Sequence, residues 1–585
     1  MDALQRPLSN RVAESGSGER APSTQAFAQR LAEQAVRSPH KIALSRWVPG
    51  KGFALLTYRD LLGLSEDIEK SLAVFSHVVP ILGGKSFQAV AAMVAASRSR
   101  LPFCFLNPKW RRPQLEFALR QLRAKACFLD SAGLLALQGL SDRDLWTRNI
   151  EWIVIEPELA GLASEMANRL ASFATLRSMP LSSDTRGEAA CPDSPLGTSV
   201  GACLFTSGST GRPKGVLVSA EDLDARIDAE IAWFGLTEAD VLLNVLPFSF
   251  DVGLAQLMTG LALGAEVAML ESWLPRDILL AVEQRSVTCI AGVPSVWSEF
   301  VRQGVRLDSA GRHRSLRYVT VSGGSLPLNA LEQLMKAFEG VGIYKTYGQT
   351  EAFRATSLRP EDLHRKLGSV GKPFPGVHVR VVRDDGTLCA PGEVGEVIHC
   401  GLGTMVGYLD DDNEVDVQEK RKLRANPFFG HGDEHPQVVF TGDLGFLDED
   451  GFLFLKGRRD ALIKVFGNRV YPLEVAEQIA SLPGIEDVYV APVSGTSGEA
   501  ELAAFILARE PALSRAEVRK ALALRLPSYM VPKHFVFVDG LPKGATGKID
   551  GLELISRHGF APYRAEGPTL TMDSGPLRAE NGACE

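Results

Sequence analysis

A short run of glycines, hydroxyls and one lysine lies between two apolar segments of the chain. Residues 205–215 read FTSGSTGRPKG, and apolar residues precede them from Ala202 and follow them to Val218. Glycine backbone lets several N–H groups converge on one anion, the hydroxyls donate further hydrogen bonds, and Lys214 supplies positive charge. The pattern predicts a tight turn between two buried strands that cradles a polyphosphate, rather than a flexible polar linker. It is not the common P-loop, because Gly-Lys-Ser/Thr does not occur at the spacing of that motif.

Four further motifs follow this turn along the chain. They are Tyr347–Glu351 (YGQTE), Thr441–Asp443 (TGD), Gly457–Val470 (GRRDALIK and, two residues later, GNRV) and Pro542–Asp550 (PKGATGKID). In this order and spacing the motifs resemble the adenylate-forming superfamily, which includes acyl-CoA synthetases, adenylation domains of nonribosomal peptide synthetases and firefly luciferase. The resemblance covers roughly residues 24–556. It implies ATP-dependent activation of a carboxylic acid as an acyl adenylate, with ATP and Mg²⁺ as cofactors.

The length and the alternation of apolar segments predict the fold class. At 585 residues the chain exceeds what one hydrophobic core supports, so at least two domains are expected. Helical spacing at 25–36 is followed by strand-like runs at 103–106, 126–129 and 152–155, and such alternation favours a layered α/β architecture with largely parallel sheets. By resemblance, a large N-terminal domain of layered sheets flanked by helices precedes a small, mobile α+β C-terminal domain.

The predicted domain boundary follows the strand-like run at 452–455. We expect a disordered N-terminus at 1–23, a large AMP-binding domain at 24–456, a small C-terminal AMP-binding domain at 457–560 and a disordered tail at 561–585. The stretch 411–440 is longer than expected between Tyr408 and the TGD motif. We interpret it as a surface insertion, with a partner-docking loop as the alternative.

The composition narrows the class of protein. A net charge of −7 argues against a nucleic-acid partner, which would require a basic surface. No apolar run reaches the roughly 18 residues of a membrane span, and the polar first 23 residues lack the apolar core of a secretory signal. The eight cysteines form no CxxC pair, and several lie in apolar runs, which is typical of buried, reduced thiols. We therefore expect a cytoplasmic enzyme with no membrane span.

Phosphate binding is assigned to the glycine-rich turn. By resemblance the turn holds the β- and γ-phosphates of ATP. Its predicted donors are Thr206, Ser207, Ser209, Thr210 and Lys214, and Gly208 and Gly211 permit the close turn.

The YGQTE motif is assigned to the base, the α-phosphate and the metal. Tyr347, followed by Gly348, offers a flat face for adenine. Thr350 offers a hydroxyl for the α-phosphate, and Glu351 offers a hard oxygen ligand for Mg²⁺. The alternative for Glu351 is a carboxylate that complements the dipole at the start of a helix.

Two other segments complete the predicted nucleotide site. Asp443 would accept hydrogen bonds from the ribose 2′- and 3′-hydroxyls, and Arg458 resembles an arginine that reaches the same sugar. The turn that follows the apolar run 318–321 resembles the adenine side of the site. Its residues are Ser322, Gly323, Gly324 and Ser325.

The C-terminal motifs are assigned to catalysis and domain rotation. Lys548 lies in a short glycine-bearing loop, and its ammonium could bridge the substrate carboxylate and the α-phosphate. By resemblance, Asp460 is the hinge of the small domain. Lys464 and Gly467 would line a tunnel for a phosphopantetheine arm, whose thiol attacks the acyl adenylate.

The substrate pocket is predicted less closely than the nucleotide site. Asp251 matches the aspartate that pairs with the α-ammonium in amino-acid-activating domains, but it also suits the N-cap of the following helix. Arg354 should meet an anion, either a second carboxylate or polar group of the substrate or Asp251 itself. The other expected lining residues are small or short, namely Val252, Ala255, Gly292, Thr320, Ser322, Thr346 and Ala355.

The thiol acceptor is expected in trans. Only 35 residues follow Asp550, too few for a carrier domain. The acceptor is therefore a separate carrier protein or free CoA. The substrate is a small carboxylic acid, which can be an amino acid. Two alternatives remain: an enzyme that uses the adenylate without thiol transfer, and a degenerate, non-catalytic member of the family.

Overall fold

A computed structural model gives the fold, and it divides the chain into two compact units. The units are Met1–Arg459 with Lys543–Ile549, and Asp460–Pro542 with Asp550–Glu585. The predicted boundary at 456/457 falls inside a strand of the first unit, Leu453–Arg458. The residues that the structure describes are 26–75, 77–110, 112–138, 150–156, 176–178, 199–207, 213–308, 311–324, 326–409, 415–416, 422–430, 435–459, 463–465, 468–495, 500–508, 513–543 and 549–563.

The first unit contains a nine-stranded sheet, here called sheet I, that is parallel except at its ends. From edge to edge its strands are Lys372–Pro373, Phe353–Leu358, Gly342–Gln349, Tyr318–Val321, Cys289–Gly292, Val241–Asn244, Glu266–Met269, Ile42–Val48 and Gly52–Thr57. The strands between Gly342–Gln349 and Ile42–Val48 are all parallel. Their apolar runs are buried on both faces, as is usual for a parallel sheet covered by helices.

A second nine-stranded sheet, sheet II, carries the predicted phosphate turn. Its order is Val415–Asp416, Gly407–Leu409, Pro213–Ser219, Val200–Ser207, Phe103–Leu106, Val79–Leu82, Ala126–Leu129, Glu151–Val154 and Leu176–Ser178. The strands Val200–Ser207 and Pro213–Ser219 form an antiparallel hairpin, which confirms the two predicted buried strands. The predicted strand runs at 103–106 and 126–129 are also confirmed.

A smaller antiparallel sheet, sheet III, completes the first unit. Its order is Val377–Val382, Gly395–Gly401, Gln437–Leu447 and Leu423–Ala425, and Leu453–Arg458 also pairs with Gln437–Leu447. The prediction of largely parallel sheets therefore holds for the centres of sheets I and II and fails for sheet III.

Helices cover both faces of sheets I and II, and their ends follow local sequence signals. Thr57 caps the helix that begins at Tyr58 by accepting from Asp60 N, and Ser219 caps the helix that begins at Ala220. That second helix ends at Phe234, and its C-cap Gly235 is in the left-handed conformation, with φ of 58°. The helices are Ala26–Arg37, Tyr58–Glu69, Phe87–Arg98, Arg112–Gln121, Ser131–Gln138, Ala220–Phe234, Asp251–Leu263, Pro275–Arg285, Pro294–Arg302, Leu328–Ala337 and Pro360–Leu363, with a 3₁₀ turn at Leu72–Val74.

The second unit is a small α+β fold. Its sheet contains Ile485–Ser494, Ala500–Ala508 and His534–Phe537, and Ile463–Val465 pairs with Asn468–Val470 in a separate ribbon. Its helices are Pro472–Ala480, Arg515–Ala523 and Gly551–Arg557, with a 3₁₀ turn at Ser528–Met530. A core of its own, with Val475, Phe505 and Leu522 buried, gives this unit independent packing. Among the residues described in both units, no helix is long and apolar enough to cross a membrane.

Candidate active site

The strands on either side of the phosphate turn bring Thr206 opposite Lys214. These two residues are partners in the hairpin register, and Ser207 faces Pro213. The Lys214 Nζ lies 5.6 Å from the centroid of the Tyr408 ring, which stands on the neighbouring strand of sheet II. The turn itself at 208–212 and the Ser207 side chain lie outside the described residues. The described part therefore places a cation and a hydroxyl-bearing residue at the mouth of the predicted cradle.

Thr350 and Glu351 lie on a three-residue hairpin loop. Gln349 and Phe353 are the last paired residues of its two strands, so the loop consists of Thr350, Glu351 and Ala352. Phe353 adopts φ of 41°, the left-handed conformation that commonly closes a three-residue hairpin. The alternative of a helix-start carboxylate for Glu351 is wrong, because the chain turns back into a strand here.

Gly348 is required by the same hairpin. A Cβ at this position would lie 1.7 Å from the carbonyl oxygen of Phe353, so no larger residue fits the close approach of the strands. The glycine of the YGQTE motif therefore shapes the turn that carries Glu351.

The Glu351 carboxylate is buried and has a cationic partner. Tyr408 Oη donates to Glu351 Oε1 at 2.9 Å, and Lys422 Nζ donates to the same oxygen at 2.6 Å. Lys422 Nζ also donates to Gln349 Oε1 at 2.6 Å. Burial raises the pKa of the Glu351 carboxyl, but the Lys422 ammonium beside it outweighs that effect and brings this pKa below its ordinary value.

The residues around Glu351 fit a magnesium site. Mg²⁺ is usually held through one or two carboxylates together with substrate phosphates. Glu351 supplies an ionised carboxylate, and Tyr408 connects it to Lys214 at the mouth of the phosphate turn.

Lys422 is a partner of Glu351 that the sequence did not reveal. It closes the charged run of the 411–440 stretch, which was interpreted as a surface insertion. In the structure the next residues, Leu423–Ala425, pair with Val439 to Gln437 in sheet III, and Phe440 N donates to the Lys422 carbonyl. The described residues Leu423–Ala425 are thus paired in sheet III, whereas 411–414, 417–421 and 431–434 lie outside the described residues, so the surface insertion remains a prediction. A charged run followed directly by a strand-like triplet was the available signal.

Three residues predicted for the adenosine side come together in the structure. Tyr347 Oη donates to Asp443 Oδ2 at 2.6 Å, and Arg458 Nη1 lies 3.5 Å from Asp443 Oδ1. Asp443 and Arg458 face each other across paired strands of sheet III. Burial and the adjacent Asp443 carboxylate raise the pKa of the Tyr347 hydroxyl well above its usual range. An oriented carboxylate flanked by a phenol and a guanidinium can accept hydrogen bonds from a diol.

Ser322 and the following glycines occupy the end of a sheet I strand. Ser322 Oγ is 2.7 Å from Thr346 Oγ1 and 3.3 Å from Thr320 Oγ1. Gly323 has φ of 78°, and a Cβ there would meet the Phe250 ring at 3.1 Å. A Cβ at Gly324 would lie 3.3 Å from the Pro294 side chain. Ser325 lies outside the described residues. The turn therefore begins directly after the strand Tyr318–Val321, and its Ser322 is within hydrogen-bond distance of Thr346 on the neighbouring strand.

Gly292 has a packing role that the sequence did not reveal. A Cβ at this position would lie 2.5 Å from the Trp297 ring, whose Nε1 donates to the Thr320 carbonyl oxygen at 2.9 Å. A glycine is thus needed here so that the Trp297 ring can pack against the backbone of this strand.

Arg354 is buried and meets Glu230. Arg354 Nη2 is 2.7 Å from Glu230 Oε1, and Arg354 Nη1 donates to Thr346 Oγ1 at 3.2 Å. Both side chains of the ion pair are about 5% exposed. The expected anion is therefore a residue of the chain itself, and it is Glu230 on the helix Ala220–Phe234 rather than Asp251.

Asp251 begins a helix without capping it. The N-cap of the helix Asp251–Leu263 is Phe250, and the Asp251 carboxylate accepts from Val252 N at 2.8 Å. The N-cap interpretation of Asp251 is thus wrong. Its side chain is buried and lines a cavity with Ala255, Thr259 and Arg226, among apolar neighbours. The cavity has a volume of about 10 Å³, which is room for about one water molecule, so the carboxylate can meet a small hydrogen-bonding or cationic group there.

Several predicted residues lie where the structure describes no side chain. The residues concerned are Gly208, Ser209, Thr210, Gly211, Ser325, Asp460, Gly467 and Lys548, together with the side chains of Ser207 and Lys464. Their roles remain predictions.

Comparisons with known proteins agree with this arrangement. The family model described as AMP-binding enzyme matches residues 31–409, and the model of the AMP-binding enzyme C-terminal domain matches residues 474–548. The 2-succinylbenzoate–CoA ligase of Bacillus licheniformis is 31% identical over 347 residues, which are 59% of this chain and 68% of that protein. A plipastatin synthase polypeptide of Bacillus subtilis is 28% identical over 528 residues, which are 88% of this chain and 19% of that protein.

Solved structures share the fold. The amide bond synthetase McbA from Marinactinospora thermotolerans matches with a TM-score of 0.73 and 21% identity, over 92% of this chain and 100% of that chain. The o-succinylbenzoate CoA synthetase of Bacillus subtilis, in complex with its acyl-adenylate intermediate, matches with a TM-score of 0.70 and 24% identity, over 90% and 97%. The family match covers more than half of the 585 residues. The chain belongs to the AMP-binding enzyme family and is an ATP- and Mg²⁺-dependent, adenylate-forming ligase.

Proposed function

We propose that this chain adenylates a small carboxylic acid and transfers the acyl group to the phosphopantetheine thiol of a separate carrier protein. The observation that carries the proposal is the convergence of Glu351, Tyr347, Asp443 and Lys214 from three motifs in one unit. These residues supply a metal ligand, an adenine face, a ribose acceptor and a phosphate cation. Together they meet the needs of adenylation at the α-phosphate of ATP.

Each of the predicted site residues has one role in the proposed adenylation. A carboxylate resists nucleophilic attack because of its charge, and attachment of AMP converts it into a mixed anhydride with a good leaving group. Glu351 would hold Mg²⁺, which neutralises charge on the phosphates when bound. Asp443 would fix the ribose, Thr350 would donate to the α-phosphate, and Lys548 would stabilise the charge that develops as the carboxylate attacks. Pyrophosphate then leaves, and a thiol displaces AMP.

The C-terminal residues are proposed to serve the second step. Asp460 would act as the hinge of the small unit, and Lys464 and Gly467 would line the path of the phosphopantetheine arm. No acid–base triad is required, because the acyl adenylate is already activated.

An amino acid is one candidate for the acid. Support comes from Asp251, whose buried carboxylate lines a cavity with Ala255 and Thr259. The match to the plipastatin synthase polypeptide over 88% of this chain points in the same direction. In this case Asp251 would pair with the α-ammonium of the substrate.

A second candidate is an acyl-CoA ligase that uses free CoA and an acid without an amino group. The relatives named 2-succinylbenzoate–CoA ligase, at up to 32% identity, favour it. We propose the cytoplasm as the location under either candidate, because ATP is abundant there and thiols such as those of the buried Cys104 and Cys203 stay reduced.

ATP–pyrophosphate exchange tests the proposed function. The full chain is assayed against the standard amino acids and against aliphatic, aryl and dicarboxylic acids, with 2-succinylbenzoate included. Exchange with one or a few amino acids supports Asp251 as the ammonium partner. Exchange only with acids that lack an amino group supports the CoA ligase. Failure to exchange with any member of the panel counts against both.

The acceptor is tested separately once an acid is known. AMP release and acyl transfer are measured with CoA and with phosphopantetheinylated carrier proteins. Transfer to a carrier protein alone supports the first proposal, and transfer to CoA alone supports the second. AMP release without any thiol would favour an enzyme that uses the adenylate in another way.

A further inference from the structure

The buried ion pair between Glu230 and Arg354 connects to residues that the sequence analysis assigned to the substrate pocket. Arg354 donates to Thr346, which is 2.7 Å from Ser322, and Ser322 is 3.3 Å from Thr320. The ion pair therefore ends a continuous row of hydroxyls that joins the strand Gly342–Gln349 to the end of the neighbouring strand Tyr318–Val321.

Glu230 is also hydrogen-bonded to a residue that lines the Asp251 cavity of about 10 Å³. Thr259 Oγ1 donates to Glu230 Oε2 at 3.0 Å, and Thr259 lines the cavity together with Asp251 and Ala255. Glu230 thus lies one hydrogen bond from the cavity wall on one side. On the other side it lies one ion pair and one hydrogen bond from Thr346.

The Arg354 guanidinium is held in place by three aromatic rings. Its Cζ lies 5.3 Å from the ring centroid of Phe234 and 5.7 Å from those of Phe353 and Phe374. A planar cation enclosed in this way, with both ends hydrogen-bonded, is pre-organised toward Glu230. Turning Arg354 toward a ligand would break these contacts.

The charge of Arg354 is therefore already balanced within the chain itself. A substrate with a second carboxylate near this pair would have to lose its hydration while facing the buried Glu230 carboxylate. A neutral group meets no such repulsion. Arg354 Nε is buried and has no hydrogen-bond partner in the part of the chain that the structure describes, so one donor of the guanidinium remains for a neutral acceptor.

We infer that Glu230 is a specificity-determining residue: by neutralising Arg354, it selects acids whose distal group is neutral and hydrogen-bonding, and it excludes acids with a second carboxylate. This inference rests on the proposed adenylation of a small acid. The sequence analysis left two substrate groups open as partners of Arg354, a second carboxylate and a polar group. The inference excludes the carboxylate and retains the neutral polar group.

Matched pairs of substrates test the inference in the wild-type chain. The pairs are aspartate with asparagine, glutamate with glutamine, and dicarboxylic acids with their monoamides. For pairs in which either member supports ATP–pyrophosphate exchange, we expect the neutral member to be preferred on the order of 100-fold in kcat/KM. Equal use of both members, or preference for the dicarboxylate, would overturn the inference while leaving the proposed function intact. Absence of exchange with any acid would overturn the proposed function itself.

The Glu230→Gln variant tests the residue directly. It keeps the shape and one acceptor oxygen but leaves the Arg354 charge unbalanced, so the preference for the neutral member should fall by about 10-fold or more. The double variant Glu230→Gln with Arg354→Gln no longer carries the unbalanced charge. The improved use of the dicarboxylate expected in Glu230→Gln should therefore be lost. The control is Glu221→Gln, which removes an exposed carboxylate from the first turn of the same helix and should leave the preference unchanged.

A binding measurement keeps the test independent of turnover. Dissociation constants of each acid pair are measured by calorimetry with a non-hydrolysable ATP analogue present. Tighter binding of the dicarboxylate to Glu230→Gln than to wild type supports the inference. An unchanged ratio of dissociation constants in a folded Glu230→Gln variant contradicts it.

Discussion

Glu351 illustrates how distant residues control one carboxylate. Tyr408 and Lys422 lie 57 and 71 residues further along the chain, yet both donate to the same Glu351 oxygen. A buried carboxylate without a cationic partner would be costly. The Lys422 ammonium therefore keeps the predicted metal ligand ionised.

Replacing Lys422 with Met should destabilise the first unit. The change leaves Glu351 buried and unpaired, so we expect the free energy of unfolding to fall by about 1–3 kcal/mol at pH 7. The pKa of Glu351 is lower in the folded state, so the stabilisation by Lys422 is full above the ordinary pKa of about 4.5 and is lost as the pH falls through the folded value. Chemical denaturation of wild type and variant at several pH values measures this difference.

Two further variants serve as controls for Lys422→Met. Adding Glu351→Gln to the Lys422→Met variant removes the unpaired charge and should recover part of the loss. Arg424→Met removes a cation two residues away that packs on the Phe440 ring, and it should leave the pH dependence unchanged. A Lys422→Met protein as stable as wild type would show that the pair contributes nothing.

Among the secondary-structure elements, a strand of sheet III carries a buried histidine. His399 on the strand Gly395–Gly401 is fully buried, and its Nε2 donates to the Leu402 carbonyl oxygen at 2.9 Å. Its Nδ1 is buried, with no hydrogen-bond partner among the described residues. Burial, reinforced by the Arg226 charge, lowers the pKa of His399 to about 3.

The His399 pKa predicts a loss of stability in mild acid. The unfolded chain binds a proton near pH 6.5 and the folded chain does not, so stability falls as the pH drops below 6.5 and continues to fall toward 3. At pH 5 the loss from this residue should be about 2 kcal/mol. His399→Gln, compared with the exposed control His364→Gln in denaturation from pH 7 to pH 5, should remove that loss. An unchanged pH slope in His399→Gln would contradict the buried, neutral assignment.

Strand pairing explains why the local structure of the YGQTE motif was only partly predicted from the sequence. Tyr347 and Gly348 end a strand, whereas Thr350 and Glu351 belong to the hairpin loop. Periodicity does not reveal that division. It depends on the pairing with Phe353–Leu358 and on the left-handed Phe353.

At the scale of the whole molecule, two units divide the predicted chemistry between them. The first unit contains Glu351, Tyr347, Asp443 and Arg458, and the strand that carries Arg458 is part of sheet III. The segment Asp460–Pro542 belongs to the second unit. The long segment of the first unit ends at Arg459, so the predicted hinge Asp460 is the first residue of the second unit.

Lys548→Ala tests the role assigned to the last motif. Removal of its ammonium should lower adenylation in pyrophosphate exchange by on the order of 100- to 1,000-fold, by analogy with the loss of an oxyanion donor. ATP binding and thiol transfer from a supplied acyl adenylate should be retained. Full exchange activity in this variant would contradict the role of Lys548, and loss of all three properties would indicate a folding defect instead.

The family was recognisable from short motifs, because their residue types follow from the chemistry of ATP. The fold class and the two strands that flank the phosphate turn were predictable from the sequence, because apolar runs are local. The motifs also assigned Tyr347, Asp443 and Arg458 to one nucleotide site, and the structure brings these three side chains together. The partners of Glu351 and Arg354, by contrast, depend on the tertiary structure. Lys422 and Glu230 reach them across 71 and 124 residues of chain, through sheet pairing and helix packing that local pattern does not specify. A buried charge must find a counter-charge, but which one it finds depends on the packing of the whole unit.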